Sequence, residues 1–211
     1  MRNRFHEQLD ELNGLLVVMA QAATAAIRGA SRALLNADNA SAQEVHDTAA
    51  SISAQFQRTE ELAFLLLARQ QPVASDLRLI IASLHAAADL DRMGQLADHI
   101  AKIARRHHPN CAVEAVGCAA IRQMAQVAEE IAVKATEAVR TRDAVLAAEL
   151  ATDDDRMDAL HRHLWTTLLG GWREGVESAI DAAMLGRFYE RYADHAVNAA
   201  RQVVYLVTGH A

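Results

Sequence analysis

Two stretches of this chain say nearly the same thing. The first reads Asp89-Leu90-Asp91-Arg92-Met93-Gly94-Gln95-Leu96-Ala97-Asp98-His99-Ile100-Ala101-Lys102. The second reads Phe188-Tyr189-Glu190-Arg191-Tyr192-Ala193-Asp194-His195-Ala196-Val197-Asn198-Ala199-Ala200-Arg201, 99 positions later. In each, an acidic residue precedes an arginine within a helical pattern. Four residues on, the second copy has Asp194 and the first has Gln95. Working outward, Met19-Ala20-Gln21 matches Met124-Ala125-Gln126, and Asp38 matches Asp143, both 105 positions apart. The second copy is therefore shorter by six residues around Gly170-Gly171. A period near 100 residues points to one duplication, not to a solenoid array.

The composition fits long helices. Of 211 residues 52% are hydrophobic and 4% aromatic, with 9 Gly and 2 Pro, so strong helix formers dominate and breakers are scarce. Six helices are predicted: about Arg4 to Leu35, Ser41 to Gln70, Ala74 to Arg106, Glu114 to Arg140, Ala144 to the Gly170-Gly171 turn, and Val176 to Thr208-Gly209. Gln71-Pro72 breaks the second, because proline lacks a donor and pushes the preceding residue out of helical geometry. Each copy is then a three-helix unit. The predicted fold is all-α: two tandem three-helix bundles, residues 1–109 and 110–211, side by side about a pseudo-twofold.

A net charge of -6 argues against nucleic-acid binding through phosphate neutralisation. The basic run Arg105-Arg106-His107-His108 precedes Pro109 at a predicted helix end, where cations complement the helix dipole. Cys111 and Cys118 form no CxxC, which predicts a reducing setting. No secretory pattern opens the chain, and the apolar run from Leu62 to Ala68 is too short to span a bilayer. A soluble, cytoplasmic protein is expected, with any membrane link made through partners.

On a wheel of the sixth helix, Leu185, Phe188, Tyr192, Ala196, Ala199, Val203 and Leu206 form one stripe, the predicted core. Glu190 and Asp194 fall opposite, with Arg187, Val197 and Arg201 nearby. In the third helix Met93, Ala97, Ile100 and Ala104 form the matching stripe, and Asp91, Gln95, Asp98 and Lys102 point away. Carboxylates at i and i+4 are neighbours on a helix surface. Such a pair is either a solvated face neutralised by Arg187 and Arg201, or part of an oxygen-ligand site for a hard metal. Asp153-Asp154-Asp155 and Asp158 on the fifth helix add carboxylates; Asp155 and Asp158, three apart, are expected to share a face and meet the sixth helix. His195 is expected to be packed. No nucleophile–base set, glycine-rich phosphate loop or HExxH is present, so no catalytic residues are assigned.

Four motifs carry a family resemblance. Gln70-Gln71-Pro72-Val73-Ala74-Ser75-Asp76-Leu77-Arg78 resembles the junction between the second and third helices of the PhoU family. Asp89 to Gly94 resembles its first signature, Tyr189 to His195 its second, and Val203 to Gly209 its ending. The likeness covers essentially the whole chain. It implies a cytosolic, non-enzymatic regulator of phosphate homeostasis. Such a regulator links the ATPase subunit of the high-affinity phosphate ABC transporter to a membrane sensor histidine kinase. It holds the phosphate-starvation response off when phosphate is plentiful, and commonly forms a homodimer. Some members hold iron or other metal clusters at Glu/Asp-x-x-x-Asp motifs. Carried over residue by residue, Glu190 and Asp194 match that motif, Asp155 and Asp158 match acidic positions of the preceding helix, and Asp91 matches in the first copy. There Gln95 stands for the second acid, and Ala50 and Ser53 stand where Asp155 and Asp158 would be. An amide supplies no charge to offset a cation's dehydration, so one metal patch is expected, with Asp98 the candidate to compensate in the first copy. Two other readings are a ferritin-like carboxylate-bridged metalloprotein, since Asp158-Ala159-Leu160-His161 resembles half a di-iron motif, and a metal-free helical dimerisation scaffold.

Overall fold

The computed structural model describes residues 2–70, 72, 74–112 and 115–209. These residues form six helices: α1 (Arg2–Asn36), α2 (Asn39–Gln70), α3 (Ser75–His107), α4 (Ala115–Thr141), α5 (Ala144–Leu169) and α6 (Val176–Thr208). The predicted boundaries hold to within two residues. Gln71, the predicted breaker's partner, and Glu114, the predicted start of α4, lie outside the described residues.

The duplicated aspartates show how the repeat is written into local structure. Ala37 and Arg142, equivalent in the two copies, take left-handed backbone at φ 52 and φ 54. The next amide then bonds back to Ala33 O in one copy and Ala138 O in the other, closing each helix end. The residues bearing those amides, Asp38 and Asp143, start the following helices. Asp38 Oδ1 accepts from the amides of Ala40 and Ser41, and Asp143 Oδ1 from those of Val145 and Leu146. One side chain thus turns the chain and caps the next helix, twice.

Within each copy all three helices pack on one another. Between copies α1 lies on α4 and α3 on α6, while α2 and α5 take the two outer positions. Since α1 corresponds to α4 and α3 to α6, this is the expected pseudo-twofold. One apolar core runs through both copies, including Met19, Ile27, Met93, Ile100, Met124, Ile131, Leu185 and Tyr192, all 1% exposed or less. A satellite core of Phe5, Leu9, Leu12, Ala63, Leu66 and Ile80 fills the far end of the first bundle. Polar ties also cross between copies. Tyr192 donates its hydroxyl to Ala23 O at 2.9 Å, Tyr189 Oη lies 2.9 Å from Ser31 Oγ, and Thr24 Oγ1 lies 2.9 Å from Thr136 Oγ1.

α1 is long and apolar enough to cross a membrane by length and composition. Within it Leu12, Met19, Ala23 and Ile27 are fully buried in the cores, and 44% of its most apolar stretch is buried.

One difference separates the outer helices. Gly29 lets α1 approach α2 so closely that an added Cβ would stand 2.8 Å from Val45 Cγ2. The equivalent residue in the second copy is Lys134, whose ammonium reaches Glu149 and Asp153 of α5, both at 2.8 Å. Lys134 lines an open groove of about 750 Å³ between α4 and α5.

Candidate functional site

Beside this core, α5 and α6 bring carboxylates together along their seam. The buried stripe of α5 contains Ala147, Leu150, Met157 and Leu164. Continuing its three-and-four spacing places Asp154 and His161 in the same stripe, toward α6. α6 presents Glu190 and Asp194 from the flank of its own buried stripe. Asp154, Asp158, Glu190 and Asp194 consequently share one electrostatic environment. Two carboxylate pairs at i and i+4, one on each helix, face the same seam.

The charges are poorly compensated. Burial, aided by Asp194, Asp158 and Glu190, pushes the Asp154 carboxyl up to about 6, against only the distant help of Arg201. Its Oδ1 is buried without a hydrogen-bond partner. Burial and then Asp194 also raise Glu190, although Arg187 Nη1 donates to both of its oxygens at 2.6 Å. His161 stands at the same seam. Burial and Arg187 lower its pKa, and its Nε2 accepts from Trp165 Nε1 at 3.0 Å.

Three expectations change here. Asp155 and Asp158 are both exposed, and Asp154 takes the place predicted for Asp155, because packing of Leu150 and Met157 rotates α5 by one residue relative to the predicted face; Asp158 still bears on Asp154 and Glu190 from the rim of the seam. Glu190 and Asp194 lie outside the core as the wheel required, yet they are not freely solvated: the Glu190 side chain is 12% exposed. Val197, expected beside them, belongs to the core.

The first copy is closed at the equivalent place. Ser53 Oγ donates to Asp91 Oδ1 at 2.6 Å, and Gln95 Nε2 donates to Asp91 Oδ2 at 2.7 Å. Arg92 Nη1 in turn donates to Gln95 Oε1 at 2.7 Å. Ser53 and Gln95, where the second copy has Asp158 and Asp194, thus satisfy both oxygens of Asp91. Asp98 does not point away as predicted; it is 8% exposed overall, because α3 is enclosed by α1, α2 and α6. Burial opposes its charge, but Lys102 at 2.7 Å and His46 at 3.1 Å outweigh this and hold the carboxyl below its ordinary range. Asp98 is therefore committed to an ion pair and does not compensate for Gln95. His195 packs between the copies, with Nδ1 2.9 Å from Asp89 Oδ1.

All four carboxylates at the second-copy seam offer only oxygen donors, the set that suits hard cations. An unpartnered buried oxygen and carboxylates held toward neutrality are what a cation would relieve, so the donor chemistry suits such a group, although no three of these carboxylates already bring their oxygens within 4.8 Å of one another.

Comparison with known proteins agrees with the duplicated fold. The PhoU domain profile matches residues 16–104 and 121–203. The phosphate-specific transport system accessory protein PhoU homolog 2 of Mycobacterium tuberculosis is 47% identical, over 99% of both chains. Homolog 1 of Mycobacterium leprae is 45% identical, over 99% of this chain and 95% of its own. Among solved structures, PhoU from Pseudomonas aeruginosa superposes with a TM-score of 0.85 at 28% identity, covering 98% of this chain and 100% of that one. The phosphate transport system regulatory protein PhoU from Streptococcus pneumoniae gives 0.86 at 25% identity, covering 98% of each.

Proposed function

The chain belongs to the PhoU family, and from that premise we propose that it is an accessory protein of a phosphate-specific transport system. It acts as a cytoplasmic regulator and not as an enzyme. The observation that carries this is the 47% identity, held over 99% of both chains, to a protein of that name. In finer terms, it binds the transporter's ATPase subunit and a sensor histidine kinase, modulates phosphate uptake and holds the starvation response off while phosphate is plentiful. It does so as a homodimer.

A surface suited to protein partners supports the reading. Leu169 and Val176 are 83% and 77% exposed at the α5–α6 turn, and their equivalents Phe64 and Leu77 are 64% and 41% exposed near the α2–α3 turn. Apolar side chains left bare at both equivalent ends are what docking partners would cover. Deleting the gene should derepress phosphate uptake, and a pull-down from phosphate-replete cells should recover the ATPase subunit and the kinase. Normal repression in a deletion strain without a second copy of the gene would refute the proposal.

The α5–α6 seam is proposed to hold iron or another hard metal through Asp154, Asp158, Glu190 and Asp194. Metal analysis of protein purified without chelator tests this, with the Glu190→Gln, Asp194→Asn double variant as control. Asp91 is not expected to bind metal, because Ser53 and Gln95 stand where the second copy has Asp158 and Asp194 and leave it without a second carboxylate ligand. A ferritin-like oxidase would need the seam to consume oxygen; none is expected.

A further inference from the structure

At the opposite flank of α6 a second ligand set converges, of different chemistry. We propose that His107, Glu177 and Asp181 form a zinc-class metal site that joins the two repeats, separate from the all-carboxylate seam. This does not rest on the phosphate-transport reading.

His107 is the last residue of α3, and Glu177 and Asp181 stand one turn apart at the start of α6. The two helices run antiparallel, with His195 against Asp89 and His99 stacked on Phe188 further along. That brings the end of α3 to the beginning of α6. One ligand atom from each of His107, Glu177 and Asp181 lies within 4.8 Å of the others. His107 Nε2 is 2.6 Å from Asp181 Oδ2. Bonds of about 2.0–2.2 Å in a tetrahedral zinc site put ligand atoms roughly 3.3–3.5 Å apart. To meet that spacing the His107–Asp181 pair opens by about 0.8 Å, and the exposed Glu177 side chain turns inward.

The donor set selects the metal class. One imidazole with two carboxylates suits zinc and its first-row neighbours, whereas magnesium and calcium favour oxygen alone. Three protein ligands leave a fourth position for water or an incoming group.

Asp181 explains why a cation belongs here. Its side chain is only 4% exposed, and a buried carboxylate requires positive compensation. Arg106 of α3 supplies it by donating to Oδ1. The Arg106 side chain is 56% exposed at a helix end, so it can leave for solvent when a metal takes over. The competing description is an ion-pair latch of Arg106 and His107 on Asp181 with no metal role, in which Glu177 adds only a through-space attraction to Arg106. The site is not a relic of the duplicated motif, since Arg78 and Ala82 stand at the positions equivalent to Glu177 and Asp181.

The test is calorimetric titration of the full-length, chelator-stripped protein with Zn²⁺ and, separately, Mg²⁺. One Zn²⁺ per chain at micromolar affinity is expected, with no Mg²⁺ uptake that depends on His107. His107→Gln and Glu177→Gln should each weaken Zn²⁺ at least tenfold, while Glu190→Gln with Asp194→Asn leaves it unchanged. Arg106→Gln should tighten Zn²⁺ several-fold by removing the competitor, which a latch alone would not produce. Co²⁺ in place of Zn²⁺ should give tetrahedral visible bands without a thiolate charge-transfer band, excluding Cys111. Unchanged Zn²⁺ binding in Glu177→Gln, loss only with the seam variant, or no Zn²⁺ binding at all would overturn the proposal.

Discussion

Replacing Asp154 by Asn should stabilise the metal-free protein. The folded carboxyl titrates at about 6 instead of 3.8. The folded state therefore holds a proton that the unfolded state has released between those values. The destabilisation is absent below pH 3.8, grows as pH rises and is complete above about pH 6. Taken at face value the shift corresponds to about 3 kcal/mol on the charged form. Asp154 is only half-buried and its neighbours are screened by water, so about 1 kcal/mol is the reasonable expectation. For a chain of this size that is roughly 2–4 °C in Tm. Melts followed by circular dichroism, on chelator-stripped protein, should show Asp154→Asn above wild type by that amount at pH 7.5. The gap should narrow steadily as pH falls from 6 toward 4. A variant that melts below wild type at pH 7.5, or a gap indifferent to pH, would refute the account of an uncompensated carboxylate in the seam.

Tyr192→Phe removes the hydroxyl bonded to Ala23 O across the two copies and should cost about 1 kcal/mol, read from denaturant midpoints at unchanged slope. Gln95→Glu replaces a donor to Asp91 with a second negative charge; a loss of roughly 0.5–1.5 kcal/mol is expected, shrinking at acidic pH as the new carboxyl protonates. Asp38→Ala and Asp143→Ala each remove a helix cap at equivalent positions and should each cost about 1 kcal/mol, adding when combined because the sites are far apart. Gly29→Ala drives a methyl against Val45 and should lower Tm, with a cost of about 1–3 kcal/mol.

The doubled motif and the paired Asp38 and Asp143 made the architecture legible, because capping and apolar periodicity are local properties. The site was legible only in part. Glu190 and Asp194 announce themselves by spacing on one helix. Their partner depends on how α5 is rotated, which packing decides: three-and-four spacing from Leu150 and Met157 leads to Asp154, not Asp155. That signal was present in the sequence, masked by a run of three aspartates in which each has the same chemistry. Asp98 was misplaced for another reason. A wheel assumes one buried face, and α3 is buried against three helices, so it leaves little surface on which a carboxylate can stand free. Pairing of Asp181 with Arg106 and His107 joins residues 74 or 75 positions apart, and no local pattern reports such a meeting.

The closed patch around Asp91 and the strained seam around Asp154 also bear on symmetry. In a twofold assembly of two identical single repeats, every substitution would appear on both sides of the axis. A glutamine that quiets one carboxylate would quiet its mate. Joining the repeats in one chain removes that tie. One half can spend its conserved geometry on a self-satisfied hydrogen-bond network while the other keeps its unneutralised acids, with the shared core unchanged between them. The molecule thus has the frame of a symmetric dimer and the freedom of a heterodimer. A partner approaching from either side would meet the same shape carrying different charge.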